Sequence, residues 1–192
     1  FRCIKCKKGF SFATFSPCYR QNKRRVNIQV RDYLCSGTSL RRIAKILRIH
    51  RLTVARKRKF LSEQGAIQSQ RFLKKCSRLP FKHVQLDEME TFEHSKCKPL
   101  SIALIVSDDE KRKRLILGFK ISVMPAKGLL AAISREKYGL RRDHRSHSIR
   151  DLLRNVKPMI HETPIITSDQ NPRYPNLIRE QWGNATHIAV KG

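Results

Sequence analysis

The feature that most constrains the fold is a change of apolar periodicity near residue 83. Residues 24–64 carry apolar side chains at helical spacing, whereas residues 83–123 form apolar runs of strand length separated by polar turns. Farther along, two helical stretches precede a fourth apolar run at residues 164–169, and a fifth run follows. The chain thus begins with helices and continues with five strands, the later of which are separated by further helices. This order predicts an α+β protein with a mixed five-stranded sheet.

The individual elements are predicted from these patterns and from the Gly and Pro residues between them. We expect strands at residues 83–88, 100–106, 114–123, 164–169 and 186–190, with a hairpin turn at residues 107–111. We expect helices in the second part of the chain at residues 126–137, 148–157 and 176–182. The first three strands follow one another directly, which favours an antiparallel arrangement. The polar, basic residues 65–82 are predicted to be a linker.

Basic residues are concentrated in the first part of the chain. The formal net charge is +27, from 42 Lys and Arg against 15 Asp and Glu, and residues 1–82 hold 23 of the basic residues with two acids. This asymmetry indicates a polyanionic partner, and we expect double-stranded DNA, because neutralising its phosphates releases counterions. A membrane surface is the alternative. It is disfavoured because the chain shows no lipidation signal and no apolar run of about 18 residues.

The six cysteines lack the rhythm of a disulfide scaffold, which favours reduced thiols and a cytoplasmic, nucleoid-associated protein. Cys3 and Cys6 have the spacing of half a zinc knuckle, so residues 1–20 are predicted to be a partial zinc ribbon that holds Zn²⁺ in an intact parent protein. A structural zinc needs four ligands. Cys18 is a candidate third ligand at an unusual spacing, and a Cys pair before Phe1 is the simpler source. The alternative is a pair of ordinary free cysteines.

Residues 24–64 predict a three-helix helix-turn-helix domain. Gly37 ends the first helix, Thr38 or Ser39 caps the second, and Ile49 fills the turn before the third. The apolar positions repeat as one buried face on each helix. They are Val26, Val30, Tyr33, Leu34, Leu40, Ile43, Ala44, Leu47, Val54 and Leu61, with either Lys57 or Arg58 completing the inward face.

The third helix of this domain begins near Arg51, and its polar start is suited to the major groove. We expect Arg51, Thr53 and Arg56 to contact bases or adjacent phosphates. Lys57 and Lys59 are expected to contact phosphates, which position the protein without specifying sequence. The alternative is a basic helical hairpin with a solvated charged face. A second basic stretch is expected to line a DNA channel, or else to be a solvated face; it contains Arg141, Arg142, Arg145 and Arg150.

Asp87 and Asp169 each end an apolar run of strand type. Strands that end in acids can bring carboxylates together across a sheet, where these hard oxygen donors hold Mg²⁺ or Mn²⁺. Taken alone, an Asp after an apolar strand is more often a turn residue than a metal ligand. The histidines show no spacing typical of a zinc site and are interpreted as surface or core residues.

The order of these features resembles that of bacterial insertion-sequence transposases of the Asp-Asp-Glu type. The likeness covers essentially the whole chain and is carried by residues 84–90, 124–128, 137–141 and 167–174. It implies a ribonuclease-H-like catalytic domain over residues 83–192 and a homo-oligomer on DNA. It also implies that Asp87 and Asp169 are the first two acids of a site that binds two Mg²⁺ ions and cuts and joins DNA phosphodiesters.

The third acid of that family comes from a helix after the fifth strand, and the sequence ends at Gly192 while this strand is forming. Glu180 lies on the helix after the fourth strand and is not expected to substitute, and Glu88 and Glu90 alternate out of phase with Asp87. We therefore expect a domain that lacks its C-terminal part, and little or no transposition by these residues alone. The alternatives are a non-catalytic DNA-binding remnant that occupies element ends, and a related integrase or nuclease.

Overall fold

A computed structural model describes residues 1–78, 80–109 and 114–191. Within these ranges the chain forms six α-helices and five β-strands, and it divides into two compact units, Phe1–Phe72 and Leu73–Gly192. The predicted α+β class with a mixed five-stranded sheet is confirmed. None of the helices in the described ranges is long and apolar enough to span a membrane.

Three helices dominate the first unit: α1 (Asn27–Cys35), α2 (Leu40–Ile46) and the first part of α3 (Arg51–Cys76). Their apolar positions meet in one small core, as the helical spacing predicts. The members of this core are Val26, Val30, Tyr33, Leu34, Leu40, Ile43, Ala44, Leu47, Ile49, Val54 and Leu61. The predicted inward positions of all three helices, and of the turn before α3, are therefore confirmed.

The turn between α2 and α3 is fixed by backbone hydrogen bonds and by one left-handed residue. Arg48 has a φ of +49°, and the N–H of Ile49 donates to the carbonyl oxygen of Ala44 at 3.0 Å. Glycine is the usual residue at this position after a helix, and an arginine adopts the left-handed conformation at a cost of about 1–2 kcal/mol. His50 then caps α3, because its Nδ1 accepts the N–H of Leu52 at 3.2 Å.

Helix α3 is longer than the sequence predicts. The interval 65–82, predicted to be a linker, is helical through Gly65 as far as Cys76, and the first strand begins at Phe81. Its Gln, Ala, Lys, Arg and Leu residues are good helix formers, and together they outweigh a single glycine, which costs about 1 kcal/mol. The boundary between the two units lies inside this interval. Residues 65–76 are therefore helical, whereas the sequence predicts that they belong to a linker.

The sheet of the second unit contains β1 (Phe81–Phe92), β2 (Pro99–Ser107), β3 (Ile116–Val123), β4 (Ile160–Asp169) and β5 (Thr186–Val190). The strands lie in the order β3-β2-β1-β4-β5. β1 pairs antiparallel with β2 and β2 with β3, whereas β4 is parallel to both β1 and β5. The antiparallel arrangement predicted for the first three strands is confirmed. In the predicted turn at 107–111, residues 110 and 111 lie outside the described residues.

The other helices of the second unit are α4 (Leu130–Tyr138), α5 (Arg145–Val156) and α6 (Tyr174–Gln181). Helix α4 ends at Gly139, as predicted, in a left-handed conformation with a φ of +75°. Helix α5 packs on β2 and β3 and also contacts α6. Its buried residues are Ile149, Leu152, Leu153 and Val156. One face of the sheet is therefore covered by α5, and this face holds the core of the unit.

Candidate functional site

Asp87 and Asp169 occupy equivalent positions on neighbouring parallel strands. In the pairing of β1 with β4, Leu86 is registered with Ser168, and each aspartate is the next residue along its strand. Both aspartates are exposed, and paired strands lie about 4.8 Å apart. The two carboxylates are therefore brought side by side, as the sequence predicts for two strands that end in acids.

The face of the sheet that carries Asp87 is the one opposite α5. Asp87 is registered with Leu104 on β2, and Leu104 is registered with Phe119 on β3, so these three side chains share a face. Apolar residues on this face are exposed, and they are Met89, Phe119, Ile121, Ile188 and Val190. The aspartate pair is therefore exposed to solvent and is surrounded on this face by apolar side chains.

Glu88 lies on the other face and links the strands to the start of α6. It accepts hydrogen bonds from Ser101 Oγ at 2.7 Å, from Asn171 Nδ2 at 3.2 Å and from the hydroxyl of Tyr174 at 3.1 Å. Asn171 also donates its backbone N–H to Asp169 Oδ1 at 3.2 Å. The Glu88 carboxylate is therefore engaged by three hydrogen bonds within the protein. Asn171 connects it to the aspartate pair, because it donates to both Glu88 and Asp169.

Tyr174 acts as a hydrogen-bond donor in this network. Burial raises the pKa of its hydroxyl far above the usual value, and the negative charges of Glu88, Asp169 and Asp87 raise it further. The hydroxyl therefore keeps its proton at neutral pH and holds the Glu88 carboxylate in place. The sequence did not single out Glu88, Asn171 or Tyr174 for this role, although Asn171 and Tyr174 lie in the stretch 167–174 that carries the family resemblance.

No third acid joins Asp87 and Asp169 in the part of the chain that the structure describes. Glu180 accepts both hydrogen bonds of Arg150, at 2.7 and 3.1 Å, so the expectation that it does not substitute agrees with its position. Glu90 pairs with Lys127 at 2.7 Å. No group of three or more His, Cys, Asp or Glu side chains that could hold a metal occurs among the described residues.

The donor set of the aspartate pair suits one hard divalent cation. Mg²⁺ is commonly held by one or two carboxylates and keeps several of its waters. A second cation needs further carboxylate donors, and the described residues do not bring one to this edge. The pair therefore fits a single Mg²⁺ or Mn²⁺, and the two-cation site implied by the family resemblance is not assembled from these residues.

The basic stretch after α4 is largely committed to ion pairs. Arg141 is only 11% exposed and donates to Glu93 at 3.1 Å, so we withdraw it from the predicted DNA-contacting set. Hydrogen bonds from Arg145 are the main cause that lowers the pKa of Asp143 to about 2. Arg142 is exposed, and it has no carboxylate partner among the described residues. Arg145 pairs with Asp143 and Arg150 with Glu180, so of the four residues expected to line a DNA channel Arg142 alone presents a free charge in the described part of the chain.

The start of α3 presents the side chains predicted to contact DNA. Arg51, Arg56 and Lys59 are exposed, and Thr53 is half-buried. The structure gives none of these three cations a carboxylate partner within the described ranges. Lys57 differs, because it is only 3% exposed and faces the interior with Val54. Lys57 is therefore removed from the predicted phosphate contacts, and the alternative in which it completes the inward face is confirmed.

The ammonium group of Lys57 is held by uncharged oxygens. It donates to Asn27 Oδ1 at 2.6 Å, to Gln21 Oε1 at 3.2 Å and to the carbonyl oxygen of Asn22 at 3.2 Å. Burial lowers the pKa of Lys57, and the nearby Cys18 opposes this effect. No sequence pattern indicates this network, because Lys57 lies 30 to 36 residues after the three residues that it contacts.

We expect Lys57→Met to destabilise the first unit by about 1–3 kcal/mol. Methionine preserves the volume of the side chain but leaves the buried Oδ1 of Asn27 without the donor it had in Lys57, whereas Gln21 Oε1 still accepts from Asn27 Nδ2 at 2.6 Å. Amide hydrogen exchange over α1, measured on the full chain, checks this effect. Lys59→Met is the matched control, because Lys59 is exposed and its loss is expected to change the stability by less than about 0.5 kcal/mol. Equal exchange in the two variants would contradict the prediction.

Cys3 and Cys6 lie in a tight turn at the start of the chain. The backbone and side chain of Cys6, and the backbone of Lys5, lower the pKa of the Cys3 thiol through hydrogen bonds. Cys18 lies elsewhere and accepts a hydrogen bond from Asn27 Nδ2 at 3.4 Å. The described residues thus bring two zinc donors together and do not add Cys18, so they do not complete the four-ligand set of a structural zinc.

Comparison with known proteins does not identify the family. No protein-family model matches the chain, and a search of curated proteins found no match.

Proposed function

We propose that the chain is a DNA-processing protein of the Asp-Asp-Glu transposase type. In this proposal the first unit is a helix-turn-helix that binds duplex DNA, and the second is a ribonuclease-H-like domain that binds a divalent cation. The observation that carries the proposal is the register of β1 with β4, which sets Asp87 and Asp169 side by side on an exposed face. Two carboxylates in this arrangement suit chemistry on a phosphodiester, because a hard cation held by carboxylate oxygens can also bind the oxygens of a phosphate.

The DNA-binding role is supported by the charges and the packing of the first unit. Arg51 and Arg56 are exposed on the first turns of α3. The turn at Arg48 connects α2 to α3, and the two helices share one core. A helix start of this kind enters the major groove in helix-turn-helix proteins, with its first residues at the base edges. The high density of basic residues in this unit favours binding that weakens steeply as salt increases.

Asp87 and Asp169 would hold Mg²⁺ or Mn²⁺ in the catalytic role. The cation would supply Lewis-acid stabilisation to the charge that develops on a DNA phosphate. The backbone N–H of Asn171 orients Asp169, and the side chains of Asn171 and Tyr174 hold Glu88 by hydrogen bonds. The two neighbouring carboxylates attract divalent cations to this position on an otherwise strongly basic protein. The Lys and Arg side chains remain available to the DNA backbone.

A second candidate is a non-catalytic DNA-binding protein that occupies the ends of a mobile element. The observation that favours it is the lack of a third carboxylate near Asp87 and Asp169 among the described residues. Binding in this candidate depends on the first unit and needs no divalent cation.

We expect the chain to bind duplex DNA without divalent cations and to nick it little in their presence, because two carboxylates hold one cation and not two. Incubation of supercoiled plasmid with the chain and Mn²⁺ checks this result, with Asp87→Ala as the paired variant. Nicking by the unmodified chain that disappears in Asp87→Ala would favour the catalytic candidate. Nicking that persists in Asp87→Ala would contradict it, and a failure to bind DNA would contradict both candidates.

A further inference from the structure

A basic hollow lies beside the start of α3 in the first unit. It has a volume of about 390 Å³ and is lined by the four successive residues Arg20 to Lys23 and by Thr53, Arg56 and Lys57. A second hollow of about 460 Å³ shares Gln21, Asn22 and Lys23 with it and continues toward Val26. The segment that precedes α1 therefore lines both hollows, and α3 lines the first of them.

The charges of this hollow are all of one sign. Its lining includes Arg20, Lys23, Arg56 and Lys57 and no acidic residue. Arg20, Lys23 and Arg56 are exposed, and none of them has a carboxylate partner in the described ranges. Arg20 does lie over the ring of Tyr19, with its guanidinium carbon 5.3 Å from the ring centroid. The hollow thus offers three exposed cations that no acid of the described chain neutralises.

The wall of the hollow is held in an unusual backbone conformation. Arg20 and Lys23 both have left-handed backbones, with φ of +59° and +52°. Between them, the carbonyl oxygen of Asn22 and the side chain of Gln21 are fixed by hydrogen bonds from the buried ammonium group of Lys57. Residues in such conformations persist where surrounding contacts impose them, and they are concentrated at ligand-binding sites.

We infer that this hollow binds a backbone phosphate of duplex DNA, through Arg20, Lys23 and Arg56. Arg56 is shared with the proposed base-reading face of α3, so the phosphate would lie next to the groove that α3 enters. The inference rests on the proposed DNA binding and adds to it a contact from the segment before α1. A phosphate is the ligand because exposed guanidinium and ammonium groups bind its oxygens with charge-assisted hydrogen bonds.

The test is the salt dependence of DNA binding by the full chain. The probe is a fluorescein-labelled 20-bp duplex of mixed sequence, with affinity measured by anisotropy across a range of salt concentrations. Log K falls as log salt rises, and each lost phosphate contact makes this slope shallower by about 0.9. We therefore expect the double variant Arg20→Gln/Lys23→Gln to reduce the slope by about 1 to 2 and to weaken binding most at low salt.

The matched control removes the same charge at the other end of α3. Arg71 and Lys74 are both exposed on that helix, and Arg71→Gln/Lys74→Gln is expected to leave the slope unchanged. Equal slopes in the two double variants would overturn the phosphate site while leaving DNA binding intact. A full chain that does not bind the duplex would overturn the proposed function and this inference together. Circular dichroism of each variant verifies the fold, and substitution of exposed side chains is expected to leave it unchanged.

Discussion

Replacing Gly118 by valine is expected to destabilise the second unit by about 3 kcal/mol. A Cβ atom at this position on β3 would lie 2.8 Å from Val156 Cγ1 and 2.9 Å from Leu152 Cδ1, both on α5. Both residues belong to the buried core, so the added atoms force α5 away from the sheet or into strained rotamers. Urea unfolding monitored by the fluorescence of Trp182 measures the loss, because this buried side chain is the only tryptophan.

A compensating substitution separates this clash from other effects of losing a glycine. Val156→Ala removes the nearer of the two atoms that a side chain at position 118 would meet, and Leu152 Cδ1 remains. We expect the double variant Gly118→Val/Val156→Ala to be less destabilised than the sum of the two single changes, by about 1 kcal/mol or more. Strict additivity would mean that Val156 does not lie against position 118, and it would contradict the contact described between β3 and α5.

The strands were the most predictable part of the fold. Alternating and continuous apolar runs located all five, and β5 has the bounds 186–190 that the sequence predicts. β4 begins at Ile160, four residues before the predicted start at Pro164. Proline is usual at the beginning of a strand, and within a strand it is tolerated at irregularities. The pairing of β4 with β1 shifts its register near this point, which accommodates the proline.

Helix boundaries were predictable where a cap or a breaker is present. Ser39 caps α2 by accepting the N–H of Arg42, and Gly139 ends α4, as the sequence indicates. The long extension of α3 was not predictable from apolar periodicity. Its residues 65–76 carry no apolar stripe that spans the whole stretch, and Gly65 resembles a helix end. Cumulative propensity determines this segment.

The candidate site was predictable in its residue types and not in its geometry. An apolar run that ends in aspartate gives each carboxylate a place on a strand, but only the register of β1 with β4 makes Asp87 and Asp169 neighbours. Net charge likewise cannot tell a free cation from a paired one. Arg141 and Lys57 are basic residues in basic stretches, yet one is paired with Glu93 and the other is buried among uncharged oxygens.

Replacing Asp87 by asparagine is expected to weaken Mn²⁺ binding at least about tenfold. A full charge and a divalent cation about 4 Å apart attract by about 2 kcal/mol even at the dielectric constant of water, and tenfold corresponds to about 1.4 kcal/mol. Asp169→Asn is expected to have an effect of the same size, because the two carboxylates are equivalent ligands. In the absence of divalent cations, each variant is expected to be more stable by about 0.2–1 kcal/mol, because it removes the repulsion between neighbouring like charges.

Titration of the full chain with Mn²⁺, followed by the electron paramagnetic resonance signal of the free ion, measures directly whether Asp87 and Asp169 bind a divalent cation. We expect one site that is weakened in Asp87→Asn and in Asp169→Asn. The site is expected to be unchanged in Asp108→Asn, because Asp108 is a half-buried acid that pairs with Arg114 instead. Binding that survives both substitutions, or that is lost equally in the Asp108 control, would contradict the assignment of the aspartate pair as the cation site.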